Sequence, residues 1–126
     1  MANEEHLERL SAGPRTWNSW RKENPTVIPA LSGANIGWLD LRGVDFDNAD
    51  LTGSNLDRAD CSGARFMHAN LQRATLLQSE LSGAVFHWAD MQHASLRGAR
   101  ANGALFWWTN LRNADLGVGY SFSSLW

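Results

Sequence analysis

Large apolar residues recur at every fifth position over most of this chain, and that period constrains the fold more than any other feature. The series runs from Ile36 to Leu116, and only Cys61 and Ala101 are small among its members. Two residues before each member the chain is nearly always Ala or Ser. A helix repeats about every 3.6 residues and a strand about every two, so neither keeps such a series on one face.

The chain must therefore turn a corner within each group of five residues, and four corners close a coil of twenty residues. Alignment at a twenty-residue offset supports this, because one column of large residues then reads Phe46, Phe66, Phe86, Phe106 and Trp126. A second column reads Gly43, Gly63, Gly83 and Gly103. Glycine at the third residue of a turn favours type II geometry, which needs positive φ there. We therefore predict that one side of the coil consists of type II turns.

The motif A(D/N)L appears in this register as "ADL" at residues 49–51, "ANL" at 69–71 and "ADL" at 114–116. From about residue 30 to residue 126 the chain resembles the pentapeptide-repeat family. The resemblance implies an all-β solenoid, a right-handed quadrilateral β-helix of roughly 4.5 coils with twenty residues in each. Asp50, Asn70, Asp90 and Asn110 should form a ladder on one side.

Residues 1–29 lack the five-residue period and are predicted to form a short helical cap, with residues 30–126 forming the β-helix. Asn3 can cap a first helix, and Pro14 can begin a second. Trp17 and Trp20 share a helix face and are expected to pack on the first coil near Ile36 and Leu41. The stretch "WNSWRKENPTVIPALSGANI" is similar to a leader that precedes such repeats in bacterial proteins.

Outward positions are free to carry function, and most hold mixed polar residues whose loss should matter little to stability, as at Asp57. The exception is a group of large side chains beside the Phe column, here called the aromatic patch: Met67, His68, His87, Trp88, Leu105, Trp107 and Trp108. Clustered exposed apolar residues mark partner sites. The plainest interpretation is that the C-terminal tail or a second subunit covers the patch. The alternatives are a separate protein partner or no role.

The C-terminal end has no sequence that resembles a helical cap, and an uncovered coil edge is a site of association. Some relatives in the family dimerise tail to tail. We therefore predict a homodimer through the last coil, with this interface: Leu111, Leu116, Tyr120, Phe122, Leu125 and Trp126.

Charge and composition argue against other classes of partner. A net charge of -2 gives no field that would attract DNA or an anionic membrane, so neither is expected as a direct partner. No apolar run approaches the roughly 20 residues that span a bilayer. A single cysteine and a polar start to the chain favour a cytoplasmic location.

The sequence offers little material for catalysis. His68, His87 and His93 are expected to be solvated surface residues, because a metal site needs convergent ligands. Cys61 lies on an inward column and is expected to be a buried apolar residue. We predict no cofactor, no metal and no enzymatic activity.

Two functions remain. The first is a structural or protein-interaction module. The second follows from the family's quinolone-resistance members and is DNA mimicry directed at gyrase. Charge argues against the second, because Arg65 and Arg100 interrupt the acidic rows that mimicry requires.

Overall fold

The computed structural model describes residues 1–117. Two helices come first, α1 (Glu4–Ser11) and α2 (Pro14–Glu23). Asn3 caps α1 as predicted, because its side chain accepts from the backbone N–H of His6 at 3.1 Å. Pro14 begins α2, also as predicted. None of the helices in this part of the chain is long and apolar enough to cross a membrane.

Beyond the helices, residues twenty apart pair in parallel, from Ala30 with Asp50 to Ser95 with Asp115. The pairs recur every five residues, so each coil has four sides with one bridge apiece. The predicted twenty-residue offset is confirmed. Within residues 1–117 the bridges do not extend into continuous strands, because the turn on each side leaves a single residue to pair with the neighbouring coil.

The turns have the same backbone form on all four sides. The third turn residue has φ between 54° and 73° at every step of five from Gly33 to Asn113. Only this central residue has positive φ, which defines type II. The predicted type II turns are confirmed on the side that holds Gly43, Gly63, Gly83 and Gly103, and the other three sides have them as well. The turn hydrogen bond, such as that from Ala49 N to Phe46 O at 3.0 Å, recurs whether or not glycine is present.

The core is a single column of apolar layers along the coil axis. Phe46, Phe66, Phe86 and Phe106 stack as predicted, with successive ring centroids 5.1, 4.6 and 4.7 Å apart. Cys61 is fully buried, and burial raises the pKa of its thiol. It is thus a core residue, as predicted, and a poor nucleophile.

Helix α2 packs its apolar face on the first coil. Trp17 is fully buried, with its ring centroid 5.9 Å from that of Phe46 and 5.0 Å from that of Trp20. The sequence placed these tryptophans near Ile36 and Leu41, whereas the ring contact is with Phe46, on another side of the same coil.

The helices also bind backbone groups on the open edge of the first coil. Asp45 donates its N–H to Oδ1 of Asn18 at 2.9 Å and accepts from Nε1 of Trp17 at 2.8 Å. Nη2 of Arg21 donates to the carbonyl of Asp47 at 2.6 Å, and Nδ1 of His6 accepts from the N–H of Ala30 at 2.9 Å. In later coils the equivalent groups pair with the preceding coil. In the first coil, side chains of the helices thus take the place of a preceding coil as hydrogen-bond partners.

Candidate functional site

The aromatic patch consists of two short ring stacks that run along the coil axis. In the first stack, His68, Trp88 and Trp108 lie parallel, with centroids 5.0 and 4.9 Å apart. In the second, His87 lies 5.1 Å from Trp107. The two stacks meet edge to face, at 77° between His87 and Trp88 and at 87° between Trp107 and Trp108. The spacing follows from the coil repeat, which holds equivalent residues about 4.8 Å apart.

The patch is open to solvent in the described part of the chain. Trp88 is 44% exposed, Leu105 42%, Trp107 59% and Trp108 68%. Met67 is half-buried, and its sulfur lies 3.5 Å from Nη2 of Arg65. The structure therefore places the predicted patch residues side by side on one flank of the coil.

His87 has a structural partner that the sequence did not reveal. Its Nδ1 accepts from the backbone N–H of Trp107 at 3.0 Å, so the neutral ring carries its proton on Nε2. The expectation that this histidine is simply solvated was wrong, because it is half-buried and bound. His68 is exposed, as expected, but stacks on Trp88.

The bond at His87 belongs to a recurring pattern at the second residue of the turns, whose N–H has no backbone partner in the described coils. At most turns with an Asp or Asn two residues earlier, that side chain accepts from the N–H, as Asp50 does from Thr52 at 3.1 Å. The predicted ladder therefore has a structural role, because each of its side chains accepts from a backbone N–H. Its members are Asp50, Asn70, Asp90 and Asn110. The "D/N" of the repeat motif is thus an acceptor for the backbone.

At three other turns of the described chain, a side chain of the preceding coil accepts from this N–H instead. Oδ1 of Asp47 accepts from the N–H of Met67 at 2.9 Å, and Oδ1 of Asp57 accepts from that of Leu77 at 2.9 Å. His87 does the same for Trp107. The prediction that Asp57 matters little to stability did not take this hydrogen bond into account.

Most of the polar groups that the patch offers to a ligand are donors, although the neutral imidazole of His68 also has one acceptor nitrogen. Within residues 1–117, the Nε1 atoms of Trp88, Trp107 and Trp108 have no hydrogen-bond partner, and none of the three atoms is buried. The Nε2–H of His87 is a fourth donor. The patch thus combines apolar rings with N–H groups that have no acceptor in the described part of the chain.

Three patch residues hold a strained backbone. His68, Trp88 and Trp108 have φ of 60°, 59° and 57°, a region that bulky L-residues rarely adopt. The left-handed conformation costs on the order of 1–2 kcal/mol for each such residue. Glycine occupies the same turn position at Gly63 and Gly83. The same conformation recurs at turns outside the patch, for example at Arg58 and Arg73, so it belongs to the coil and does not by itself mark this site.

Arginines neutralise the acidic rows elsewhere on the described surface. Nε of Arg42 lies 2.8 Å from Asp40 and 3.9 Å from Asp60, and its hydrogen bond lowers the pKa of Asp40 to about 2. Other pairs between residues of the coils are Arg65 with Asp47, Arg97 with Asp115 and Arg100 with Glu80. Within residues 1–117, no three His, Cys, Asp or Glu side chains converge to hold a metal ion.

Trp38 is an exposed aromatic residue that sequence reasoning missed. It is 74% exposed at φ 66°, with the guanidinium of Arg58 5.0 Å from its ring centroid. Its place at the third residue of a turn was the available signal. It stands alone on its side of the coil and serves below as a matched control.

Of the predicted dimer residues, Leu111 and Leu116 are half-buried and pack against the core. Tyr120, Phe122, Leu125 and Trp126 lie outside the described residues, as does the predicted place of Trp126 on the Phe column.

The five-residue period, the bridges at twenty residues and the inward Phe column define a β-helical repeat protein. A sequence model of pentapeptide repeats matches residues 45–83 and 79–117, with eight copies of the repeat. The chain therefore belongs to the pentapeptide-repeat family, which confirms the resemblance seen in its sequence. A comparison with curated proteins finds no match.

Solved structures agree with this assignment. A pentapeptide repeat protein from the Arabidopsis thaliana thylakoid lumen is 30% identical, with a TM-score of 0.67 over 68% of this chain and 60% of its own. The protein Rfr23 from the cyanobacterium Cyanothece 51142 is 29% identical, with a TM-score of 0.50 over 61% of this chain and 56% of its own. The chain thus spans less than two thirds of either protein. Both support a right-handed β-helix solenoid.

QnrB1, a plasmid-mediated fluoroquinolone resistance protein, is 17% identical over 64% of this chain and 54% of its own. Its TM-score is 0.31, and a likeness at this level carries no argument about function.

Proposed function

We propose that this chain is a non-enzymatic structural and protein-interaction module whose aromatic patch docks a partner. The observation that carries the proposal is that Trp88, Trp107 and Trp108 are 44%, 59% and 68% exposed while lying side by side on one flank. Single exposed apolar residues are ordinary, whereas a cluster of them on a rigid surface supports a binding role.

The proposed architecture is a four-sided coil of about 4.5 turns over residues 30–126, with residues 1–29 as its helical cap. The bridges from Ala30 onward and the hydrogen bonds from Asn18, Trp17 and Arg21 to the first coil support it. A rod of this kind presents its side chains at fixed spacing, which lowers the entropic cost of binding.

A homodimer through the C-terminal coil is part of the proposal. Leu111 and Leu116, two of the predicted interface residues, are only half-buried in the described part of the chain. The edge of a last coil is stabilised by pairing or cover, which a second copy would provide through the residues predicted from the sequence.

DNA mimicry is the alternative, and the charge pattern argues against it. Arg42, Arg65, Arg97 and Arg100 each pair with an acidic side chain that a mimic would need to leave free. A cytoplasmic location stays a prediction from the sequence.

Affinity capture from the native host tests the interaction role. The tagged full chain is compared with a Trp88→Gly, Trp108→Gly variant and with Trp38→Gly as the matched control. Glycine relieves the strain at each position, so folding should be preserved. We expect at least one protein to be retained by the wild type and by the control but lost with the double variant. Identical retention by all three chains would contradict a binding role for the patch.

A further inference from the structure

The aromatic patch has a composition that selects among partners. Its apolar surface consists of stacked rings, and four N–H groups, those of its three tryptophans and the Nε2–H of His87, have no partner in the described chain. The neutral imidazole of His68 adds one donor and one acceptor, so donors predominate. A complementary ligand is therefore apolar and rich in acceptors. An ordinary polypeptide strand carries as many donors as acceptors, whereas proline has a carbonyl and no N–H.

The size of the patch favours a short segment over a globular partner. At roughly 150–250 Å² for each fully buried aromatic side chain, the exposed fractions leave on the order of 400–500 Å² of apolar surface. A stable protein–protein interface buries about 800 Å² on each partner. The patch alone therefore supplies about half of what a second copy of this chain would need.

The spacing of the patch fits one extended conformation. The ring steps of 5.0 and 4.9 Å from His68 through Trp88 to Trp108 cover nearly the same length as one turn of a polyproline II helix, about 9.3 Å. Trp107 and Trp108 meet at 87°, so the two stacks form adjoining walls with different orientations. Aromatic side chains line the sites at which known domains bind such helices.

We propose that the ligand of the aromatic patch is a proline-rich segment of a partner protein, bound as a polyproline II helix. The proline rings pack on the exposed surface of the indoles, and the segment's carbonyls accept from the indole N–H groups. Both sides are stiff before binding, so little conformational entropy is lost. This inference rests on the interaction role proposed above and adds the class of partner.

The test uses the full chain and a fluorescein-labelled decaproline peptide, with a Gly-Ser peptide of equal length as the peptide control. Fluorescence anisotropy measures binding. We expect saturable binding of decaproline only, weakened about tenfold or more by Trp88→Gly with Trp108→Gly. Trp38→Gly should bind as the wild type does. Circular dichroism with urea unfolding confirms that each variant is folded.

Other occupants give distinct results that overturn the proposal. If decaproline binds only after Phe122→Ser and Trp126→Ser, the chain's own tail occupies the patch. If the patch variant converts a dimer to a monomer in light scattering and decaproline does not bind, a second copy occupies it. Absence of saturable binding in every variant also overturns the proposal. If capture from the host still depends on the patch, the interaction role stands and only the proline-rich class is lost.

Discussion

The backbone N–H of Trp107 donates to Nδ1 of His87, which lies one coil earlier, across 3.0 Å. The same imidazole stacks on the ring of Trp107 at 5.1 Å. One residue thus satisfies a backbone group of the coil and orients a ring of the patch. The patch is therefore preorganised by the hydrogen bonding that holds the coils together.

Replacement of His87 should separate these two roles. His87→Leu leaves the N–H of Trp107 without its acceptor and should lower the free energy of unfolding by about 1 kcal/mol. His87→Asp should retain most of the stability, because Asp47 and Asp57 accept from the equivalent N–H in their coils. Urea unfolding of the three chains measures the difference. Equal losses in both variants would show that the bond contributes nothing.

Truncation within the Phe column should be costly. Phe66→Ala opens a hole between Phe46 and Phe86, which the closed coil cannot fill, and should cost about 3–5 kcal/mol. Arg73→Ala, at an exposed turn position, should cost less than about 0.5 kcal/mol. Denaturant unfolding compares the two. Similar losses would show that the assignment of inward and outward positions is wrong.

Removal of residues 1–28 should expose the edge of the first coil. The backbone groups of Asp45 and Asp47 would then lose Trp17, Asn18 and Arg21 as partners. We expect aggregation or end-to-end association in light scattering, whereas Lys22→Ala, an exposed change within the cap, should have no effect. A shortened chain with unchanged solubility and melting temperature would contradict a protective role for the helices.

Acidification should loosen the contact between α1 and the first coil. Burial lowers the pKa of His6, an effect opposed by Glu5 and reinforced by Arg9. Its Nδ1 accepts from the N–H of Ala30 only when that nitrogen is unprotonated. The folded state thus binds fewer protons than the unfolded chain. The stabilisation is present in full above the ordinary pKa near 6.5 and is lost as the pH falls through the lowered value.

Melting temperatures at pH 7 and pH 5 measure this effect. His6→Asn keeps an acceptor near the position of Nδ1 and does not titrate, so it should lose less stability than the wild type between these values. Asp40 does not interfere in this range, because the hydrogen bond from Arg42 holds its pKa at about 2. An identical pH response in both chains would refute the assignment to His6.

The proposed dimer predicts a mass of about twice 14.0 kDa in light scattering at micromolar concentration. Phe122→Ser with Trp126→Ser should give monomers, because each change is felt twice across a two-fold interface. Trp38→Gly, far from the C-terminal coil in sequence, is the control. A wild-type chain that is monomeric at this concentration would remove the dimer from the proposal.

Much of the fold could be predicted from the sequence because the five-residue period admits few backbone paths. The Phe column needed only the offset of twenty residues, since any inward position must repeat at that interval. The caps of α1 and α2 were also readable, because Asn3 and Pro14 act locally. The turn type was underestimated because glycine was taken as its only marker. Trp38, Trp88 and Trp108 adopt the same φ under the constraint of the coil.

The patch was predictable as a set of outward residues, but its chemistry was not. The partner of the Trp107 N–H depends on Leu105 being unable to accept, and on which side chain of the preceding coil comes within reach. Neither condition is visible until the coils are stacked. The same holds for Asp57. Its position in the repeat is outward, but its carboxylate accepts from the backbone N–H of Leu77.

The bridges between residues twenty apart also restrict how this chain can change in length over evolution. An insertion or deletion of twenty residues adds or removes one complete coil, so every later residue still stacks on its former neighbours. An insertion or deletion of five residues keeps the apolar interior filled, but it rotates all later residues by a quarter turn about the coil axis. A change of five residues between His87 and Trp107 would place the two rings on different sides of the coil. A surface that extends over several coils is therefore preserved only by changes of twenty residues, whereas the core also tolerates changes of five.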